Sequence, residues 1–132
     1  MMHFTFTYLD NYRNHGQNAE QSIRYALTGK ILKADNLRFD EGADVLNFQI
    51  KSARATICKG TDLKAYLSLD ASTAYIYATK DGIAYVMNRK EYENFVHMFG
   101  TVTIDSEKNG GAKKIRLGHE TQKMLNWLAG LA

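Results

Sequence analysis

Apolar and polar positions alternate in several short runs of this chain and recur at helical spacing in others. Residues 3–8, HFTFTY, alternate with period two and predict a short strand. Residues 18–28, NAEQSIRYALT, place Ala19, Ile23, Ala26 and Leu27 on one helical stripe, with Glu20 and Arg24 as an i,i+4 pair and Gly29 as the stop. Residues 30–43 read as a polar connection. From Gly42 to Gly60 alternation returns, as one long strand or as two strands with a tight bend. TDLKAYLSL, residues 61–69, predicts a short helix capped by Thr61 or Asp62. AYIYATK and IAYVMN flank Asp81-Gly82, which predicts a hairpin with a two-residue turn. Asn88 and Glu91 have the spacing of a capping box, and Tyr92, Phe95, Val96 and Phe99 mark the apolar side of a helix ended by Gly100. TVTID and KKIRL flank Asn109-Gly110-Gly111 as a second hairpin. Residues 119–131 predict a last helix with Met124, Trp127, Leu128 and Leu131 on its buried side.

This order of elements predicts one α+β domain over residues 1–132: a central mixed or antiparallel sheet with two β-hairpins, flanked by three or four helices. The chain has 132 residues, 45% of them hydrophobic, which is enough to build a core without disulfides or a structural metal. Cys58 is the only cysteine, so no intramolecular disulfide forms, which suits a reducing cytoplasm. No apolar run has the length of a membrane span, and MMHFTFTYLDNYRNH lacks the charged start and apolar block of a secretory signal. A cytoplasmic protein with no membrane partner is expected. The net charge of +3 permits nucleic-acid binding without requiring it.

The chemistry concentrates in GADVLNFQIKSARATICKG, residues 42–60. In a strand, Phe48 and Ile50 share one face, while Asn47, Gln49 and Lys51 share the other, continued by the small Ala53 and Ala55. A half-exposed strand of an antiparallel sheet has the same alternation. What sharpens the pattern is its company: a helix carrying Glu20, then Asp44, then Gln-x-Lys on a strand. This arrangement resembles the PD-(D/E)xK nuclease superfamily, over residues 18 to 58. The resemblance implies a restriction-endonuclease-like fold. It also implies Mg2+ or Mn2+ held by Asp44 and Gln49, a catalytic Lys51 that positions or activates the attacking water, and Glu20 supporting the metal shell. Gln49 stands where the usual member has an acid, and is a neutral oxygen donor. Magnesium takes hard oxygen ligands, often only one or two from protein carboxylates.

Spacing sets a condition on that reading. Asp44 and Gln49 are five residues apart, so in one continuous strand they face opposite sides about 17 Å apart. A turn at Leu46-Asn47 would place Asp44 across from Gln49. Asparagine suits such a turn, whereas leucine with positive φ does not. A bulge between Val45 and Asn47 would also change the facing. Asp40 is the alternative ligand, with Glu41-Gly42 able to begin the turn.

Arg54, Lys59 and Lys64, with Lys113, Lys114 and Arg116 on the second hairpin, would form a nucleic-acid-binding rim if the fold brings them together. Tyr75, Tyr77 and Tyr85 can stack on bases or simply pack within the hairpin. Among His3, His15, His97 and His119 no two have metal-ligand spacing, and Lys123 stands where the second histidine of HExxH would be. His119 and Glu120 read as the start of the last helix. Cys58 reads as a small core residue, and the glycines match no phosphate-binding loop. Two functions follow. The first is a Mg2+-dependent endodeoxyribonuclease or nuclease-fold DNA-binding protein, with DNA as partner and a homodimer suiting so small a chain. The second is a non-catalytic phage or mobile-element accessory protein, without cofactor, that binds nucleic acid or binds and inhibits a host defence protein.

Overall fold

The computed structural model describes residues 2–9, 15–30, 45–52, 56–59, 74–104, 113–117 and 119–131; for 15–17, 56–59, 102–104 and 113–116 it describes the backbone alone. The elements run β1 (Met2–Thr5), α1 (His15–Thr28), β2 (Phe48–Ser52), β3 (Thr56–Lys59), β4 (Ala74–Ala78), β5 (Ile83–Met87), α2 (Arg89–Phe99), β6 (Thr101–Ile104), β7 (Lys113–Arg116) and α3 (Gln122–Gly130). Four strands form a mixed sheet in the order β1-β5-β4-β2, and three form an antiparallel sheet in the order β3-β7-β6. In the first sheet β1, β5 and β4 are antiparallel neighbours, while β2 runs parallel to β4 with Gln49 beside Tyr75 and Lys51 beside Tyr77. The fold is α+β, as the element order predicts. The long run after Gly42 is two strands, β2 and β3. The helix expected over 61–69 and the turn at 109–111 lie outside the described residues.

The four-stranded sheet buries both faces, and strand alternation sorts the residues between them. One face carries Tyr75, Tyr77, Tyr85 and Met87, packed with Tyr92, Phe95 and Val96 of α2 and with Met124 and Leu128 of α3. Tyr75 stacks on Tyr92 with ring centroids 4.3 Å apart, and Phe95 lies 5.7 Å from Trp127. The other face carries Ile50, Ile76, Ala78 and Ala84, covered by Ala19 and Ile23 of α1 together with Phe4, Phe6 and Tyr8. Ala78 and Ala84 are cross-strand partners, so that face is shallow where these aromatic side chains lie over it.

Local chemistry accounts for the boundaries. The capping box of α2 is formed: the Asn88 side chain accepts from the Glu91 amide at 2.8 Å, and Glu91 accepts from the Asn88 amide at 3.0 Å. The last helix starts at Gln122 rather than at His119, because the Thr121 hydroxyl accepts from the Met124 amide and so caps it. In α1 the buried side differs from the apolar stripe. Gln21, Ser22 and Arg24 are buried beside Ala19 and Ile23, whereas Ala26 and Leu27 are exposed. Hydrogen bonds make that burial tolerable: Arg24 donates to Gln21 at 2.7 Å, and Ser22 accepts from the Leu9 amide while donating to Asn18.

The β4–β5 hairpin is not the expected two-residue turn. Thr79 and Ile83 close a three-residue loop of Lys80, Asp81 and Gly82, and only Gly82 takes positive φ, +85°. A turn ending on a left-handed glycine is the usual three-residue form. The glycine has a second reason to be there: a Cβ at Gly82 would stand 2.4 Å from the Phe6 carbonyl oxygen, while the Phe6 amide donates to the Gly82 carbonyl at 2.8 Å. No helix among the described residues is long and apolar enough to cross a membrane.

Candidate functional site

Among the described residues β2 is an edge strand of the mixed sheet, opposite β1, and what precedes it decides the site. Val45 and Phe48 exchange both backbone hydrogen bonds, at 3.1 and 2.7 Å, so the chain reverses at Leu46-Asn47. Leu46 has φ +50° and is 68% exposed. This is the turn that the sequence discouraged, since leucine in the left-handed region costs about 1–2 kcal/mol. The surroundings hold it. Val45 is buried against Ile50 and α1, and the Asn47 carbonyl accepts from the Ala74 amide at 2.9 Å, anchoring the turn to β4. Local strain of this kind persists only where the surrounding structure over-determines it, and it is concentrated at functional sites.

Beyond the turn, β2 alternates as expected. Phe48 and Ile50 face α1, and Gln49 and Lys51 share the opposite face with Tyr75 and Tyr77. Gln49 is 8% exposed, beside the ring of Tyr75 that α2 stacks upon, and Lys51 is half-buried. α1, which carries Glu20, covers the other face, and the Glu20 carboxylate pairs with Arg24 at 3.4 Å. Gln49 and Lys51 are therefore together, and the helix bearing Glu20 is across the sheet from them. Asp44, Asp40, Arg54 and Lys64 lie outside the described residues.

A carboxylate that sequence reasoning treated only as a helix start comes to the same face. Glu120 accepts from the Tyr77 hydroxyl at 3.3 Å and from the Lys80 amide at 3.0 Å. Burial, followed by the charge and hydrogen bond of Glu120, holds the Tyr77 phenol well above its ordinary pKa. Tyr8, whose hydroxyl donates to the Thr79 carbonyl at 2.6 Å, is pushed up to about 12 by burial and then by Glu120 and Asp81. Both phenols are neutral donors across the physiological range. Nothing local in His119-Glu120-Thr121 marks this role. Only the packing of α3 against the end of β4 creates it.

The cations separate by strand. Lys59 is on β3, and Lys113, Lys114 and Arg116 are on β7, all within the three-stranded sheet. The histidines remain dispersed: His3 on β1 lies against Tyr85, His97 pairs with Glu93 at 3.8 Å, and His119 is exposed. Among the described residues no group of three or more His, Cys, Asp or Glu side chains is placed to hold a metal ion. Comparison with protein-family models, with curated proteins and with solved structures finds no match for the chain.

Proposed function

We propose that this chain is a metal-dependent nuclease of the restriction-endonuclease-like type, hydrolysing phosphodiester bonds of DNA in the cytoplasm. One observation carries the reading: the chain turns at Leu46-Asn47, where a nuclease centre built from Asp44, Gln49 and Lys51 requires a turn. Asp44 directly precedes that turn in sequence, and Gln49 and Lys51 share one face of the strand that follows it. A carboxylate oxygen from Asp44 and the amide oxygen of Gln49 are hard donors that suit Mg2+ or Mn2+, which complete their shells with water and phosphate. Bound there, such an ion would lower the pKa of its water and stabilise charge at the scissile phosphate. Lys51, two residues along the same face, orients the attacking water or neutralises charge developing on that phosphate. The reading does not need Glu20, whose carboxylate is engaged by Arg24.

The test is cleavage of supercoiled plasmid and of single-stranded DNA with Mg2+ or Mn2+, by wild type and by Lys51→Ala, Asp44→Ala and Asp40→Ala. Loss in both Lys51→Ala and Asp44→Ala is the expected result. Loss in Lys51→Ala and Asp40→Ala but not in Asp44→Ala moves the acidic ligand to Asp40. Cleavage by none of the proteins, at any metal concentration, overturns the enzyme.

A second reading has an observation of its own. Gln49 is neutral and nearly buried, a weak substitute for the usual acid. A nuclease-like scaffold with such a centre can serve as a binding protein, for nucleic acid or for a host defence protein, without a cofactor. Tight, metal-independent binding with no cleavage would favour it.

A further inference from the structure

The three-stranded sheet brings together cations that are far apart in sequence. β7 is its central strand. Arg116 is the cross-strand partner of Thr56 on one side and of Thr101 on the other, while Lys114 is the partner of Lys59 and of Thr103. Cross-strand partners share a face, and residues two apart on a strand share it too. Thr56 and Lys59 are three apart on β3, and a register shift between them lets both partner residues that are two apart on β7, so one face holds two rows, Thr56–Arg116–Thr101 and Lys59–Lys114–Thr103. It has three cations, three hydroxyl residues and no acid at any of these six positions. Thr101, whose side chain is described, is exposed.

The alternate positions have a different character. Val102 pairs with Ile115, Ile104 pairs with Lys113, and Leu117, in step with Ile115, is buried in the core beneath α2 and α3. Lys113 therefore belongs to the apolar side of β7, apart from the other cations. Lys59 opposite Lys114 is a cost to the sheet, because like charges directly across a strand pair repel. A polyanion laid over the two rows removes that cost, and threonine hydroxyls are suited to phosphate oxygens.

We propose that this face, centred on Lys114 and Arg116 with Lys59 beside them, is a docking surface for the phosphodiester backbone of DNA. It extends the nuclease reading to the way that substrate is held, and it is tested without metal, so a failure of cleavage leaves it standing. Contacts to phosphate carry no base information, so the surface binds with little sequence preference. Each neutralised phosphate contributes a slope of about −0.9 in log K against log salt on duplex DNA and about −0.7 on a single strand. Three such contacts on a duplex weaken binding about 40-fold between 50 and 200 mM salt, by that same slope.

The experiment is fluorescence anisotropy of labelled duplex and single-stranded oligonucleotides in chelator over a series of KCl concentrations. Lys59→Gln, Lys114→Gln and Arg116→Gln are each expected to reduce the slope by about one contact, and Lys113→Gln to leave it unchanged. A triple variant with the wild-type slope overturns the proposal. So does a Lys113→Gln effect as large as that of Lys114→Gln, which would contradict the face assignment. Thermal melting without DNA gives an independent readout. At low salt Lys114→Gln is expected to raise Tm by relieving Lys59, and to raise it less in a Lys59→Gln background. A fall in Tm with Lys114→Gln would show that the two lysines do not oppose each other.

Discussion

Replacing Leu46 by glycine isolates the feature on which the candidate site depends. At φ +50° a leucine carries about 1–2 kcal/mol of backbone strain that glycine does not. The side chain is 68% exposed, so its removal sacrifices little burial. Against the relief stands the greater freedom of glycine in the unfolded chain, about 0.5–1 kcal/mol. The balance predicts that Leu46→Gly stabilises the protein by about 0.5–1 kcal/mol, which raises Tm by roughly 2–5 °C for a chain of this size. Leu46→Ala keeps the Cβ and its strain while removing the exposed side chain, so it is expected to change stability little. Leu46→Asn tolerates the left-handed region and is expected to behave like glycine. Urea denaturation of the three variants beside wild type measures all of this. The reasoning is refuted if Leu46→Gly is destabilising, or if Leu46→Ala costs more than about 1 kcal/mol, since either result means that the leucine packs or that its φ is not positive.

Two further perturbations probe the frame around the site. Gly82→Ala combines a left-handed φ with a Cβ 2.4 Å from the Phe6 carbonyl and threatens the Phe6–Gly82 hydrogen bond, so a loss of about 2–3 kcal/mol in urea denaturation is expected. A change below about 1 kcal/mol would contradict the close approach of β1 to the hairpin. Raised phenol pKa values mean that the folded state keeps protons that the unfolded state releases. Stability therefore stays constant below the ordinary phenol value and falls as pH rises from there toward the folded value, about 12 for Tyr8. Phenolate absorbance is expected to show Tyr8 and Tyr77 as late-titrating members of the eight tyrosines. Glu120→Gln should bring Tyr77 earlier by removing the charge; an unchanged titration would mean that Glu120 does not act on that phenol.

Much of the frame was legible because its signals are local. The Asn88–Glu91 box, the Gly29 stop and the alternation of Phe48 to Lys51 each involve residues within one turn or one strand, where backbone chemistry dominates. The Asp81-Gly82 signal correctly announced a hairpin but not its loop length, because Phe6 of a distant segment bonds to Gly82 and favours the longer form. Burial of Gln21, Ser22 and Arg24 could not be read from hydropathy, since partners such as Leu9 come from elsewhere in the chain. The same limit left the Leu46 turn as one alternative beside a bulge or a continuous strand. Propensity opposed it, and only Val45 in the core and Asn47 bonded to Ala74 make it favourable. The pairing of β6 with β7 was legible as a hairpin, whereas Glu120 at Tyr77 and the pairing of β3 with β7 are products of tertiary structure that no local pattern encodes.

The central claim is that the turn at Leu46-Asn47 makes an ion site from Asp44 and Gln49 beside Lys51. Calorimetric titration of Mn2+ and Mg2+ into wild type, Asp44→Asn and Leu46→Pro tests it most directly, without relying on any substrate. Proline fixes φ near −65° and so forbids the turn. The account predicts one divalent ion per chain in wild type and its loss in both variants, with folding of Asp44→Asn verified by its melting curve. Binding that persists undiminished in Asp44→Asn and Leu46→Pro, or no binding by wild type, would contradict it.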